Sequence, residues 1–154
     1  MLWKQPKKAW LTKGSGEAKT SLNAFDNALL DANIGNINLV KLSSVLPPET
    51  EFIQKKPDFK PGEMVPCIYT KITSSNKKIA SAIGIGISKD FGLVFEYSGE
   101  EINKEYAEQK VEKMIKEGFK TRKKKIKKIK TLSIQKNPTD NKISTMAAVV
   151  FSKN

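Results

Sequence analysis

The residues predict an α+β sandwich of mixed sheet and helices. Two segments repeat apolar residues at helical spacing, and seven others are short runs rich in branched residues bounded by turn formers. Their order along the chain is β-α-β, three more strands, α, β, β, which suits sheet packed with helices better than an alternating parallel fold. At 154 residues with 38% hydrophobic content, the chain has enough length and apolar mass for one core. No internal repeat or long linker divides residues 1–154, so a single domain is expected.

Each element has its own local reason. Residues 8–13 read as a strand anchored by Trp10, broken by Gly14-Ser15-Gly16. Thr20 or Ser21 can cap a helix over 21–32, in which Leu22, Phe25, Leu29 and Leu30 recur at helical spacing. Asn33 to Gly35 ends it, both residue types tolerating a left-handed backbone. Ile37 to Leu42 reads as a buried strand, and Pro47-Pro48 opens a loop. After further breaks at Pro57, Pro61 and Gly62, strands are expected at 65–72, 78–87 and 92–97, the last two joined by a turn at Lys89-Asp90. Asn103 caps a helix over 104–117 whose inner stripe is Ala107, Val111, Met114 and Gly118, with Ile115 alongside. Strands at 127–135 and 144–151 close the chain.

Composition removes whole classes of chemistry. The chain has no His, which excludes Ser-His-Asp and Cys-His machinery and His-ligated zinc. Cys67 is the sole cysteine, so neither an internal disulfide nor a four-Cys zinc site can form, and a reducing, cytoplasmic setting fits. No secretory signal is visible, and the longest apolar run, Ile79 to Ile87, is about half of a membrane span.

Two glycine motifs suggest nucleotide loops and fail on inspection. In Gly14-Ser15-Gly16-Glu17-Ala18-Lys19-Thr20, a phosphate loop would need Gly at positions 13 and 18. Ile83-Gly84-Ile85-Gly86 lacks the third Gly of a dinucleotide loop and reads as a strand against which another element packs closely. The net charge is +12, and eight of the eleven residues from Lys120 to Lys130 are basic. A phosphate-binding ribbon is one reading. With no aromatic residue interleaved for base stacking, a solvated strand edge is preferred and a nucleic-acid partner is not expected.

Leu22-Asn23-Ala24-Phe25-Asp26, Ala28-Leu29-Leu30, Ile34-Gly35-Asn36-Ile37-Asn38-Leu39, Ser43-Ser44 and Pro47-Pro48 together closely resemble the pyruvoyl-dependent arginine decarboxylases. The resemblance resumes at Gly62 to Pro66, at the Lys78 to Ile87 strand, at Phe95-Glu96-Tyr97 and at Gly118-Phe119, so it covers nearly the whole chain. It departs at Asn33, where the family usually has Gly, and in the lysine richness after Gly118. The family resemblance implies an αββα sandwich assembled as a trimer, or a dimer of trimers, with active sites between subunits.

The implied chemistry is coherent. Decarboxylating an α-amino acid leaves a carbanion at Cα that no ordinary side chain can delocalise, and a carbonyl that forms a Schiff base can. The resemblance implies that the chain makes this carbonyl itself. Ser44 Oγ attacks the Ser43 carbonyl, the resulting ester eliminates, and hydrolysis leaves a pyruvoyl group at residue 44. The products are a small chain, 1–43, and a large, pyruvoyl-bearing chain, 44–154. A bent or strained turn would hold Oγ near the carbonyl carbon.

Three further positions follow from the same resemblance. Glu96 matches the acid that returns a proton to Cα, its pKa raised by apolar surroundings. Asp26 matches a residue that takes the guanidinium of the substrate. Asn38 matches an active-site amide that orients the processing turn or the adduct. Six residues of strand, roughly 20 Å, separate Asn38 from Ser44, so a neighbouring subunit would have to supply it. The expected activity is conversion of L-arginine to agmatine and CO2 without pyridoxal phosphate or a metal. The alternatives are lysine or ornithine as substrate, or a basic nucleic-acid-binding module with an uncleaved chain.

Overall fold

A computed structural model describes residues 4–152 of the chain. Among them are nine strands and two helices, in the order β1 (Lys8–Ala18), α1 (Ser21–Asp31), β2 (Asn38–Lys41), β3 (Val45–Leu46), β4 (Glu51–Phe52), β5 (Met64–Ser74), β6 (Ile79–Ile87), β7 (Gly92–Glu100), α2 (Lys104–Thr121), β8 (Lys128–Lys136) and β9 (Lys142–Ser152). They build two sheets, one ordered β2-β5-β9-β1-β4 and the other β3-β7-β6-β8. The first is mixed, with β1–β4 and β2–β5 parallel, and the second is wholly antiparallel.

Three apolar layers make this an αββα sandwich. Ala9, Ile68, Ala147 and Val149 from the five-stranded sheet meet Leu46, Ile83, Ile85 and Val94 from the four-stranded sheet. On the outer face of the first sheet, Ala28 and Ala32 pack with Trp10, Cys67, Ala148 and Val150. On the outer face of the second, Ala107, Val111, Ile115 and Phe119 of α2 cover Ala80, Ala82 and Leu93.

The helices begin and end as their residues dictate. Thr20 Oγ1 accepts from the Asn23 N–H at 3.2 Å, and Asn103 Oδ1 accepts from the Tyr106 N–H at 2.8 Å, each satisfying an amide the helix leaves open. Asn33 closes α1 with φ 62°, so the departure from glycine is absorbed as expected. The inner stripe of α2 is Ala107, Val111, Ile115, Gly118 and Phe119, with Met114 only partly buried.

Three expectations need correction, the first being burial of β2, in which Asn38 and Lys41 are exposed and Leu39 and Val40 only half-buried. Gly14 and Gly16 do not break β1, which runs through them in register with β9 to Ala18. Their lack of a Cβ serves packing instead: a Cβ on Gly14 would collide with the Ala28 carbonyl and one on Gly16 would lie 2.5 Å from the Ala28 nitrogen. The bare strand lets α1 lie directly on the sheet. The basic run is also only partly a strand edge. Lys128 and Lys130 alone belong to β8, and the rest occupy the end of α2 and the turn after it. Gly84 and Gly86 do serve close approach, with Ile115 Cδ1 2.9 Å from a Cβ built on the first and Ile115 Cγ2 2.5 Å from one on the second.

Candidate active site

The chain changes sheets at Ser43-Ser44. The Leu42 N–H donates to the Cys67 carbonyl at 2.8 Å and extends the β2–β5 pairing by one residue. Two residues later the Val94 N–H donates to the Ser44 carbonyl, also at 2.8 Å, and β3 then pairs with β7 through Val45↔Leu93 and Leu46↔Gly92. The Ser43–Ser44 peptide bond therefore bridges the two sheets at one edge of the sandwich, moored on each side by a backbone hydrogen bond. Ser44 lies in a bend and is half-buried, while Ser43 is exposed. Among the described residues, the left-handed non-glycine positions are Asn33, Glu49, Glu101 and Lys123. The turn is thus bent without left-handed strain.

Glu96 occupies the middle of β7, not its end, because the strand continues to Glu100. Alternation sets its direction. Leu93, Phe95 and Tyr97 face α2, whereas Val94 lies in the layer between the sheets. Ser98 Oγ is hydrogen-bonded to Thr70 Oγ1 at 2.8 Å and to Ser81 Oγ at 2.7 Å, so it too faces the other sheet. Glu96 shares that face and sits two residues, about 7 Å, from the strand position that holds Ser44. Burial pushes its carboxyl pKa up, and the Lys41 ammonium opposes that rise.

Lys41 escapes sequence reasoning, since its relation to Glu96 exists only once the sheets are stacked. It ends β2, three residues before Ser44, with Nζ 4.9 Å from the centre of the Tyr69 ring. It also opposes the effect of burial on Cys67, whose thiol is pushed up to about 12.

One chain does not bring all the expected residues together. Asn38 begins β2 opposite Met64, and its Nδ2 donates to the Gly62 carbonyl at 2.9 Å. The chain runs on along β2 and does not double back toward it. Asp26 lies on the exposed side of α1, away from the buried Ala24 and Ala28, beyond the outer face of the five-stranded sheet. Large apolar side chains are exposed beside these separated positions: Leu22 at 75%, one turn before Asp26; Met64 at 62%, opposite Asn38; and Val45 at 51%, next to Ser44. Among the described residues no three His, Cys, Asp or Glu side chains form a group able to hold a metal ion. None of the described helices is long and apolar enough to cross a membrane.

The chain is similar to known proteins over almost its whole length. The family model described as pyruvoyl-dependent arginine decarboxylase matches residues 8–154. The pyruvoyl-dependent arginine decarboxylase of Pyrococcus furiosus is 46% identical, with 98% of each chain aligned, and that of Thermococcus sibiricus is equally similar over the same share. The Methanocaldococcus jannaschii protein of that name is 41% identical over 86% of this chain and 82% of its own. With its two sheets joined through Ser43-Ser44 and a half-buried Glu96 beside that junction, this chain belongs to the pyruvoyl-dependent arginine decarboxylase family.

Proposed function

We propose that this protein cleaves itself between Ser43 and Ser44 and decarboxylates L-arginine to agmatine and CO2. The observation that carries the proposal is the mooring of Ser44 to Val94 on the strand that presents Glu96 between the sheets. Ser44 Oγ attacks the Ser43 carbonyl and turns the amide into an ester. Loss of the Ser44 Cα proton expels the Ser43 carboxylate, and water then releases ammonia to leave a pyruvoyl group on the large chain.

The site suits such a group. Conversion alters only the nitrogen, Cα, Cβ and Oγ of Ser44, and the backbone carbonyl that accepts from Val94 is retained, so the group stays moored where Ser44 was. That carbonyl-bearing group supplies the electron sink that decarboxylation requires. The chain's own side chains do the rest. Glu96, held toward its protonated form by burial, donates a proton to the substrate Cα. Asp26 takes the guanidinium through paired charge-assisted hydrogen bonds. Asn38 orients the reacting groups with its side-chain amide.

Asn38 and Asp26 come from other protomers in this reading, within a trimer. Support comes from the exposed Leu22, Met64 and Val45, which lie beside the positions that must meet across an interface and are apolar enough to be covered there. Lone, buried Cys67 suits a reducing cytoplasm.

Intact mass of the purified protein tests the proposal. Two chains divided after residue 43, the larger carrying pyruvoyl, are expected, together with agmatine formation from arginine in preference to lysine or ornithine. Ser44→Ala should leave one folded, inactive chain. Two chains from that variant would refute the assignment of Ser44.

A further inference from the structure

The lysines after α2 converge on one end of the sandwich. The Lys124 N–H bonds the Phe119 carbonyl and the Lys127 N–H bonds the Ile87 carbonyl, folding the turn against both the helix end and the β6–β7 connection. Three members of the basic run serve the fold. Arg122 Nη1 donates to the Gly118 carbonyl, Lys124 pairs with Asp90 at 2.7 Å, and Lys130 Nζ lies 5.0 Å from the Phe52 ring centre. Lys120, Lys123, Lys125, Lys127 and Lys128 remain, all exposed, with exposed Lys89 on the adjoining turn.

Familiar structural duties do not account for this group. Edge protection concerns β8 and so Lys128 alone of these five. The helix dipole is complemented within the last turn, where Lys120 lies. Lys123 adopts φ 56°, a conformation that glycine takes without strain. The acids at hand are Asp90, paired with Lys124 and also within electrostatic reach of Lys89 and Lys127, Glu117 one turn back on α2 and Glu49 at the cleft it shares with Ser88 and Phe91.

We infer that this end of the molecule binds the phosphate backbone of double-stranded nucleic acid, without sequence preference, as a function separate from decarboxylation. Closely spaced, exposed cations that outnumber the acids around them match a phosphate ladder, and counterion release supplies the binding energy. No aromatic lies within the run to stack unpaired bases. None of the large exposed apolar side chains (Leu22, Leu30, Val45, Met64 and Tyr106) belongs to it, so it lacks the wedge by which a basic surface inserts into a membrane.

Fluorescence anisotropy of the processed enzyme with two labelled 24-base-pair duplexes of unrelated sequence provides the test. Similar affinities are expected, with about five phosphates neutralised. The slope of log K against log salt should then be about −4.5, or roughly a 500-fold loss between 50 and 200 mM salt. Changing Lys123, Lys125, Lys127 and Lys128 to Gln should reduce binding at least tenfold and flatten the slope while leaving arginine turnover unchanged. Changing Lys55, Lys56, Lys60 and Lys104 to Gln, which removes equal charge elsewhere, should have a much smaller effect. The inference fails if neither duplex binds at 50 mM salt, if the two quadruple variants weaken binding equally, or if phosphatidylserine vesicles bind more tightly than the duplexes.

Discussion

Leu46 offers a measurable link between packing and the proposed self-cleavage. It lies two residues beyond Ser44, is 1% exposed, and sits between the sheets with Ile83, Ile85 and Val94. Leu46→Ala removes three buried carbons. At about 0.8 kcal/mol each, their transfer contributes about 2.4 kcal/mol, and the cavity left behind brings the whole cost to about 2–5 kcal/mol. Leu46 also borders a cleft lined by Pro47, Phe52 and Phe91. The loosened β3 lets Ser44 drift from the Ser43 carbonyl. A displacement of about 1 Å can cost on the order of 100-fold in rate, so cleavage should slow by about 10–100-fold. Stability is best measured in a Ser44→Ala background, where every chain remains whole, and cleavage by intact mass against time after synthesis. A Leu46→Ala protein that loses the expected stability yet cleaves at the parent rate would refute the idea that this anchor positions Ser44.

Glu96→Gln should still yield two chains but lower turnover by about 10²–10⁴-fold, the usual loss when a general acid is removed; near-parent turnover by the processed variant would exclude Glu96 as the donor. Because burial raises the Glu96 pKa, turnover should decline as pH rises through that raised value, and Lys41→Met, which removes the opposing charge, should move the decline to higher pH. The same shift makes the Glu96 contribution to stability fully present below its unfolded pKa and lost as pH rises through the folded one, so denaturant titrations of Glu96→Gln should lack that component. Gly86→Ala would press a Cβ to 2.5 Å from both Ile115 and Phe119 and should cost about 1–3 kcal/mol, read as a fall in Tm of about 2–4 °C per kcal/mol. After cleavage, residues 1–43 should co-elute with residues 44–154 on native size exclusion and separate only on denaturation.

Legibility in the sequence followed the range of the interaction involved. Asn33 and the caps at Thr20 and Asn103 were readable because each requirement lies within a few residues. Gly14 and Gly16 were misread as a break because glycine marks both a turn and a close approach, and only the seating of α1 separates the two. The two-residue strands β3 and β4 carry no periodicity to detect. The depth of Glu96 depends on which face of β7 meets the other sheet, a stacking that local pattern does not encode. Asp26 and Asn38 stand out only through family resemblance, since on the single chain one is an exposed helix acid and the other an amide bonded to Gly62.

The topology would let the chain be cut at Ser43–Ser44, as proposed, without falling apart. Residues 1–43 hold β1, α1 and β2, while every strand that pairs with them lies beyond the cut. β1 is flanked by β4 on one side and by β9 on the other, in register from Lys8↔Ser152 to Ala18↔Lys142. β2 adds along β5 from Asn38↔Met64 to Lys41↔Cys67. The Ser43–Ser44 bond contributes to none of these pairings, and the hydrogen bonds on either side of it, Leu42 to Cys67 and Ser44 to Val94, each tie one of its ends to a different strand of the large chain. The proposed cleavage would therefore remove a covalent crossing between sheets that already share a common core. A peptide bond placed inside β1 or β6 could not be spent this way, because its loss would open a ladder in the middle of a sheet. The edge where the chain steps from one sheet to the other combines a serine whose backbone is moored to β7, a half-buried acid on that same strand and a bond that no strand pairing uses.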